Sequence, residues 1–193
     1  MATISDVKIC NIALRELHAN TISTFTDTES LEAQLCNLYY PLARNFVLVA
    51  APWNFAIKRS DTLAELGSVP NWGYTKAYSY PTDCLRLLEI NNELSGWRIE
   101  LNDDDVKTIV TNLSNLKVRY IKEITDPQQF SASFIFALSK YLKHLLAVPI
   151  TGQQDKAQIA LQEYQGFLTQ AKTDDGQESS MQVFMSGALE DVR

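Results

Sequence analysis

The sequence is poor in the residues from which most catalytic and metal chemistry is built. It carries three cysteines, Cys10, Cys36 and Cys84, scattered over 193 residues with no CxxC pair. That excludes a zinc ribbon or a disulfide framework. Cys10 and Cys36 fall within apolar helical patterns and read as small buried hydrophobes. There are only two histidines, His18 and His144. His18 falls at a predicted helix C-terminus, where an imidazole is favourable, and His144 on the polar side of its helix. Neither has a Cys, Ser or acidic partner in a catalytic motif, so no nucleophile and base pair is readable. A glycine-rich phosphate loop, a zinc signature and a G-x-S-x-G elbow are all missing. No cofactor or metal is therefore expected. Basic residues are also short, 17 against 23 acidic ones for a net charge of −6. A dedicated nucleic-acid binder would carry a basic face that releases counterions from phosphates. No basic-then-apolar leader follows Met1, and no apolar run reads as long enough to span a bilayer. The expectation is a soluble protein made in the cytoplasm.

What is present is an ordinary globular composition, 46% hydrophobic. The length suits one domain, or two small lobes sharing a core. The most informative stretch runs from Thr26 to Arg59. Leu31, Leu35, Leu38, Leu42, Phe46 and Val49 step by three or four residues and share one face of a long amphipathic helix. Thr26 and Glu29 have capping-box spacing, and Thr28 is an alternative cap. Pro41 predicts a kink within this helix. Pro52 ends it, because the residue before a proline leaves the α region. Trp53, Phe55 and Ile57 then alternate with polar or small residues, as in a strand.

The remaining chain continues this alternation of layers. Residues 4–19 predict a first helix capped by Thr3 or Ser5, with Val7, Cys10, Ala13, Leu14 and Leu17 buried and Ile9 and Ile12 widening its apolar surface. Short alternating segments at residues 54–65, 74–80, 85–90, 97–101, 106–111 and 116–122 predict an antiparallel sheet or small barrel. Asp126 and Pro127 fit the N-cap and first position of a third helix, lined by Phe130, Phe134, Ala137, Leu138, Tyr141, Leu145 and Val148 up to Pro149. A fourth helix follows the Thr151-Gly152 turn, with Ala157, Ala160, Leu161, Tyr164, Leu168 and Ala171 inward. The fold class expected is α+β. An antiparallel helical bundle is built from residues 1–52 and 126–173, with an inserted antiparallel β region at 53–125 and an extended C-terminal tail at 174–193.

Two segments invite a functional reading. Asp103-Asp104-Asp105 is the one carboxylate cluster, but it lacks the alternating ligands, glycine and late glutamate of a calcium loop and reads as a solvated hairpin turn. The tail joins a polar stretch from Thr173 to apolar anchors Met181, Phe184, Met185 and Leu189, closed by Arg193. That is the build of a segment that orders against a partner. The aromatic residues Tyr39, Tyr40, Tyr74, Tyr78, Tyr80, Trp72 and Trp97 lack an interleaved basic patch and read as core or subunit contacts rather than base-stacking platforms.

The run Tyr39–Arg59, YYPLARNFVLVAAPWNFAIKR, resembles the tail tubular protein A family, the head-to-tail adaptors of short-tailed bacteriophages. Pro52-Trp53-Asn54-Phe55 is the corner that carries the likeness. A second block, YSYPTDCLRLL at Tyr78–Leu88, is similar to the same family. The resemblance implies a non-enzymatic structural virion protein of the tail or neck, assembled in the host cytoplasm. It implies a dodecameric ring of copies that binds the portal protein, carries the tail nozzle protein and lets DNA pass without sequence-specific binding during ejection. It also implies that the C-terminal segment reaches toward the portal. Two other classes stay open, a tail-associated glycan hydrolase using the carboxylates near Asp103, and a small soluble interaction module without a ring.

Overall fold

The structure, a computed structural model, describes residues 3–67, 69–70, 72–91 and 96–178. It is a mixed fold of four helices and two antiparallel sheets. The helices are α1 (Asp6–Glu16), α2 (Leu31–Ala50), α3 (Ala132–Thr151) and α4 (Gln154–Glu178). The strands are β1 (Ile57–Ser60), β2 (Glu65–Leu66), β3 (Lys76–Ser79), β4 (Cys84–Ile90), β5 (Trp97–Leu101), β6 (Lys107–Thr111) and β7 (Val118–Lys122). One sheet has the order β1-β7-β4 and the other β2-β3-β6-β5. The expected single sheet or barrel is thus two separate sheets.

The three-stranded sheet is the middle layer. Ile121 of β7 joins the core made by the helices, whereas Val118 and Tyr120 on the alternate face join Leu87, Ile90, Tyr78 and Ile109 between the two sheets. This is the two-residue period of a strand buried on both sides. Among the helices α3 is central, packing against α1, α2 and α4. By length and composition α3 could cross a membrane, against the expectation from the sequence. In this fold Phe134, Ala137, Leu138, Leu142 and Leu146 spend that apolar surface on the core.

Several helix ends differ from the expectation, each for a local reason. Ser5 caps α1, accepting from the Lys8 N–H. Neither Thr26 nor Thr28 caps α2. Asp27 Oδ1 accepts from the N–H groups of Glu29 and Ser30 in a local turn, and Ser30 becomes the cap, accepting from Ala33 N at 3.2 Å. An aspartate offers its neighbours a better acceptor than the backbone does, so it delays the helix. Asp126 and Pro127 do open a helical turn, but it is a short 3₁₀ segment, Pro127–Gln129. Ser131 then caps α3 through the Phe134 N–H. The third helix also passes Pro149 and ends at Gly152, whose φ of +69° supplies the left-handed cap. The polar composition after Thr173 does not end α4, which runs to Glu178. Polarity removes a buried face, not helical propensity.

Candidate functional site: the helix-to-sheet corner and the uncovered face of α2

The corner at Pro52–Phe55 closes the C-terminal end of α2. Ala51 is extended, as a residue before proline must be, and residues Asn54–Ala56 form a 3₁₀ turn rather than the expected strand. In that turn Trp53 and Phe55 pack on each other and on Phe134. The indole of Trp53 is fully buried, with its ring 5.2 Å from Phe134 at 85°. Phe55 meets the same Phe134 ring at 5.2 Å and Phe130 at 5.8 Å. Edge-to-face pairs of this kind add to the plain burial of the rings. The indole N–H donates to the Val47 carbonyl at 2.8 Å, and Arg86 Nη1 donates to the Val49 carbonyl at 2.9 Å. Both satisfy carbonyls that the end of a helix leaves unpaired, and Arg86 also suits the negative end of the dipole. Arg86 belongs to the second family-like block, so the two blocks meet at this corner.

The same block supplies Asp83, which ties three elements together. Its carboxylate accepts from Tyr120 Oη at 2.8 Å and from Lys58 Nζ at 2.9 Å, while its carbonyl accepts from Glu123 N. Burial pushes the Asp83 carboxyl up, but Lys58 and Tyr120 outweigh it and hold the group below the ordinary carboxylate value. Cys84 next to it bonds Tyr80 Oη, and burial raises its thiol, so it is no ready nucleophile. Arg44 is the one buried arginine of α2. It donates to Glu123 Oε1 at 2.7 Å, and Asn45 donates to the same oxygen at 3.0 Å. Sequence periodicity missed Arg44, Asp83, Arg86 and Glu123. A charged residue inside an apolar helical stretch, as Arg44 is, was the available signal.

Most of the face of α2 expected inward points outward instead; Leu35 and Val49 of that face are half-buried, and Leu35 packs against the core. Ala33, Cys36, Tyr40, Ala43, Arg44, Val47 and Leu48 are buried. On the opposite side Leu31, Leu38, Leu42 and Phe46 are 54, 57, 62 and 52% exposed. Small side chains on the inner face let α2 lie close to its neighbours, and Tyr40 reaches across to Asp6 with a 2.7 Å hydrogen bond. Among the described residues the stripe's one ring contact is Phe46 stacked on Tyr141 at 4.5 Å. The first helix agrees better with expectation, except that Ile9 is buried and Val7 only half-buried. A second apolar surface lies elsewhere, where Phe136 of α3 stacks on Phe167 of α4 at 6.2 Å and the two are 48 and 39% exposed.

Behind these faces a four-charge cluster locks α1, α3 and α4. Lys140 and Lys143 each contact both Glu16 and Glu163, at 2.7 to 3.2 Å. Burial pushes the Glu163 carboxyl up, but Lys143 and Lys140 together hold it below its ordinary 4.5. Burial likewise lowers Lys143, and its two glutamates more than reverse that and hold it above 10.5. The depressed glutamate contributes stability above pH 4.5 that is lost as pH falls through its folded value. The raised lysine contributes below pH 10.5 and loses it as pH rises through its folded value. Glu163→Gln should therefore cost about 0.5–1 kcal/mol at pH 7, discounted for the one-third exposure of Glu163. The cost should shrink in thermal melts as the pH falls below 4.5 and through the folded value of Glu163. A cost that stays constant as the pH is lowered would show that the pair is not the cause.

The other residues singled out in the sequence fall as follows. Met181, Phe184, Met185, Leu189 and Arg193 lie outside the described residues. Asp103–Asp105 form an exposed turn between β5 and β6, in which Asn102 Oδ1 accepts from the N–H groups of Asp104 and Val106 and Asp105 takes a φ of +58°. Replacing all three by Asn should leave the melting temperature within about 2 °C, since Asn tolerates this backbone equally well. A larger loss would show that the carboxylates do more than turn the chain. His18 sits in the left-handed position after α1, with φ +59°. His144 Nδ1 lies 2.9 Å from the Ala157 carbonyl and joins α3 to α4. Tyr40 and Tyr78 are core residues, while Trp72 is 86% exposed. No protein-family model matches the chain, and no curated protein matches it in sequence.

Proposed function

We propose that this chain is a structural adaptor of a short-tailed phage, a head-to-tail connector whose copies assemble side by side in a ring between portal and tail nozzle. The observation that carries the reading is the inverted α2. A solvent-facing stripe of Leu31, Leu38, Leu42 and Phe46 on a long helix is costly for a lone molecule and is what a subunit contact covers. A closed ring needs two different surfaces on each copy. The α2 stripe and the Phe136–Phe167 patch are two such surfaces. In this reading the helices from both ends of the chain form the bundle that packs in the ring. The β layers project from it toward the nozzle, and the segment after Glu178 docks on the portal through Met181, Phe184, Met185, Leu189 and Arg193. The two motif blocks support it by their position, because they build the corner that fixes the β layers against α2. The excess of acidic residues suits a channel through which DNA must slide without being gripped.

The test is the light-scattering mass of the full chain, alone and mixed with portal protein from the same source. A monomer that becomes a portal-bound ring is the expected result, and a monomer in both samples overturns the adaptor. Cutting after Glu178 should leave the melting temperature unchanged and abolish attachment to portal. Normal attachment of the shortened chain would remove the tail from the mechanism while leaving the ring.

A further inference from the structure

Apart from the corner and the α2 face, one polar cleft of ≈ 340 Å³ opens beside the three-stranded sheet, lined by Arg59, Ser60, Asp61, Glu89, Lys117 and Arg119 among others. Its geometry follows from strand register. Arg59 of β1 stands directly opposite Arg119 of β7, and Glu89 of β4 stands opposite Arg119 from the other side. Cross-strand partners project to the same face, so Arg59 and Arg119 share one face of the sheet, and both line the cleft. Like charges in that relation are destabilising unless something neutralises them. Glu89 does so in part, accepting from Arg119 Nη1 at 3.1 Å. Arg119 Nε nevertheless stays buried without an acceptor. Arg59 and Lys117 have no ion-pair partner among the described residues. The lining thus holds three cations against two carboxylates, a local surplus of one positive charge on a chain whose net charge is −6.

We propose that this cleft binds a single phosphate group, held between Arg59, Lys117 and the guanidinium of Arg119. Two arginine forks offer paired N–H donors matched to phosphate oxygens, and the lysine adds a point charge. A singly charged phosphate balances the surplus and removes the Arg59–Arg119 repulsion. The cleft is ample for this, since a water molecule takes only about 30 Å³. Ser60 adds a hydroxyl at the rim. Asp61 opposes binding, and it sets the sign of one variant below. The inference does not depend on the adaptor reading.

The phosphate can come from a small ion or from a nucleic-acid backbone, and titration of the full chain separates them. Calorimetry with inorganic phosphate at matched ionic strength in chloride should show saturable binding. Arg59→Gln combined with Lys117→Gln should weaken it by about tenfold or more, as expected for two lost charge-assisted contacts. Both residues are exposed, so the fold should be kept, which a thermal melt checks. Asp61→Asn should act in the opposite direction and tighten binding. A short DNA duplex that binds and is displaced by inorganic phosphate assigns the group to a backbone, while binding of inorganic phosphate alone assigns it to a small ligand. Absence of binding by both probes, or equal affinity in the wild type and the double variant, overturns the site.

Discussion

Trp53→Ala should cost about 3–5 kcal/mol of stability, the range for emptying a fully buried aromatic site. The ring fills the space between α2 and Phe134, and its removal leaves a cavity that the surrounding rings of Phe55 and Phe134 cannot close. The same change strips the Val47 carbonyl of its 2.8 Å hydrogen bond at the end of a helix, where no backbone donor is available. Against a total stability of about 5–15 kcal/mol for a domain, this is about a fifth or more. Trp53→Phe separates the two parts. It keeps most of the ring and removes only the N–H, so it should cost about 1–2 kcal/mol. Urea unfolding followed by far-ultraviolet circular dichroism measures both. A loss under about 1.5 kcal/mol for the alanine variant would mean that the corner does not anchor the core, and the structural role given to the motif would fail.

The second large effect falls on assembly and spares the fold. Leu38→Glu with Leu42→Glu should leave the melting temperature within about 2–3 °C, because both side chains are more than half exposed and glutamate and leucine have similar helix propensities. In the proposed ring each leucine that is covered contributes about 1.5–3 kcal/mol, and a carboxylate in its place must be desolvated. The loss per contact is then about 3 kcal/mol or more, over a hundredfold in association. Since a closed ring repeats the contact around its circumference, the portal-bound assembly should disappear. Light scattering of the variant mixed with portal gives the answer. A ring that forms normally would show that another face makes the contact, and the Phe136–Phe167 patch would be the next to alter. A variant that unfolds would instead show that the leucines belong to the core.

These two tests probe residues that the sequence treats differently. Trp53 announces itself, as a large aromatic between a helix-ending proline and an apolar run. The pattern places it at the start of a strand, and the 3₁₀ turn over Asn54–Ala56 replaces that expectation. A two-residue period predicts an extended backbone, whereas here the chain makes a helical turn in which Trp53 and Phe55 pack on Phe134 from far along the sequence. The leucine stripe of α2 shows the complementary failure. Its three-to-four spacing is unmistakable, yet the small residues Ala33, Cys36 and Ala43 on the other side are the ones packed within the chain.

What the sequence alone determined is the local and periodic part. It located the four helices, most strands, the proline-enforced end of α2 and the turn at Asp103–Asp105, because dihedral preferences and face periodicity are properties of neighbouring residues. The tertiary structure decided what lies far apart in the chain. It split the strands into two sheets, turned α2 over, and paired Arg44 with Glu123, Asp83 with Lys58 and Tyr120, and Arg59 with Arg119. Each of those choices compares packing and charge energies between segments tens of residues apart. A periodic pattern marks a face as apolar, but only the competition among all such faces settles which one the chain itself covers.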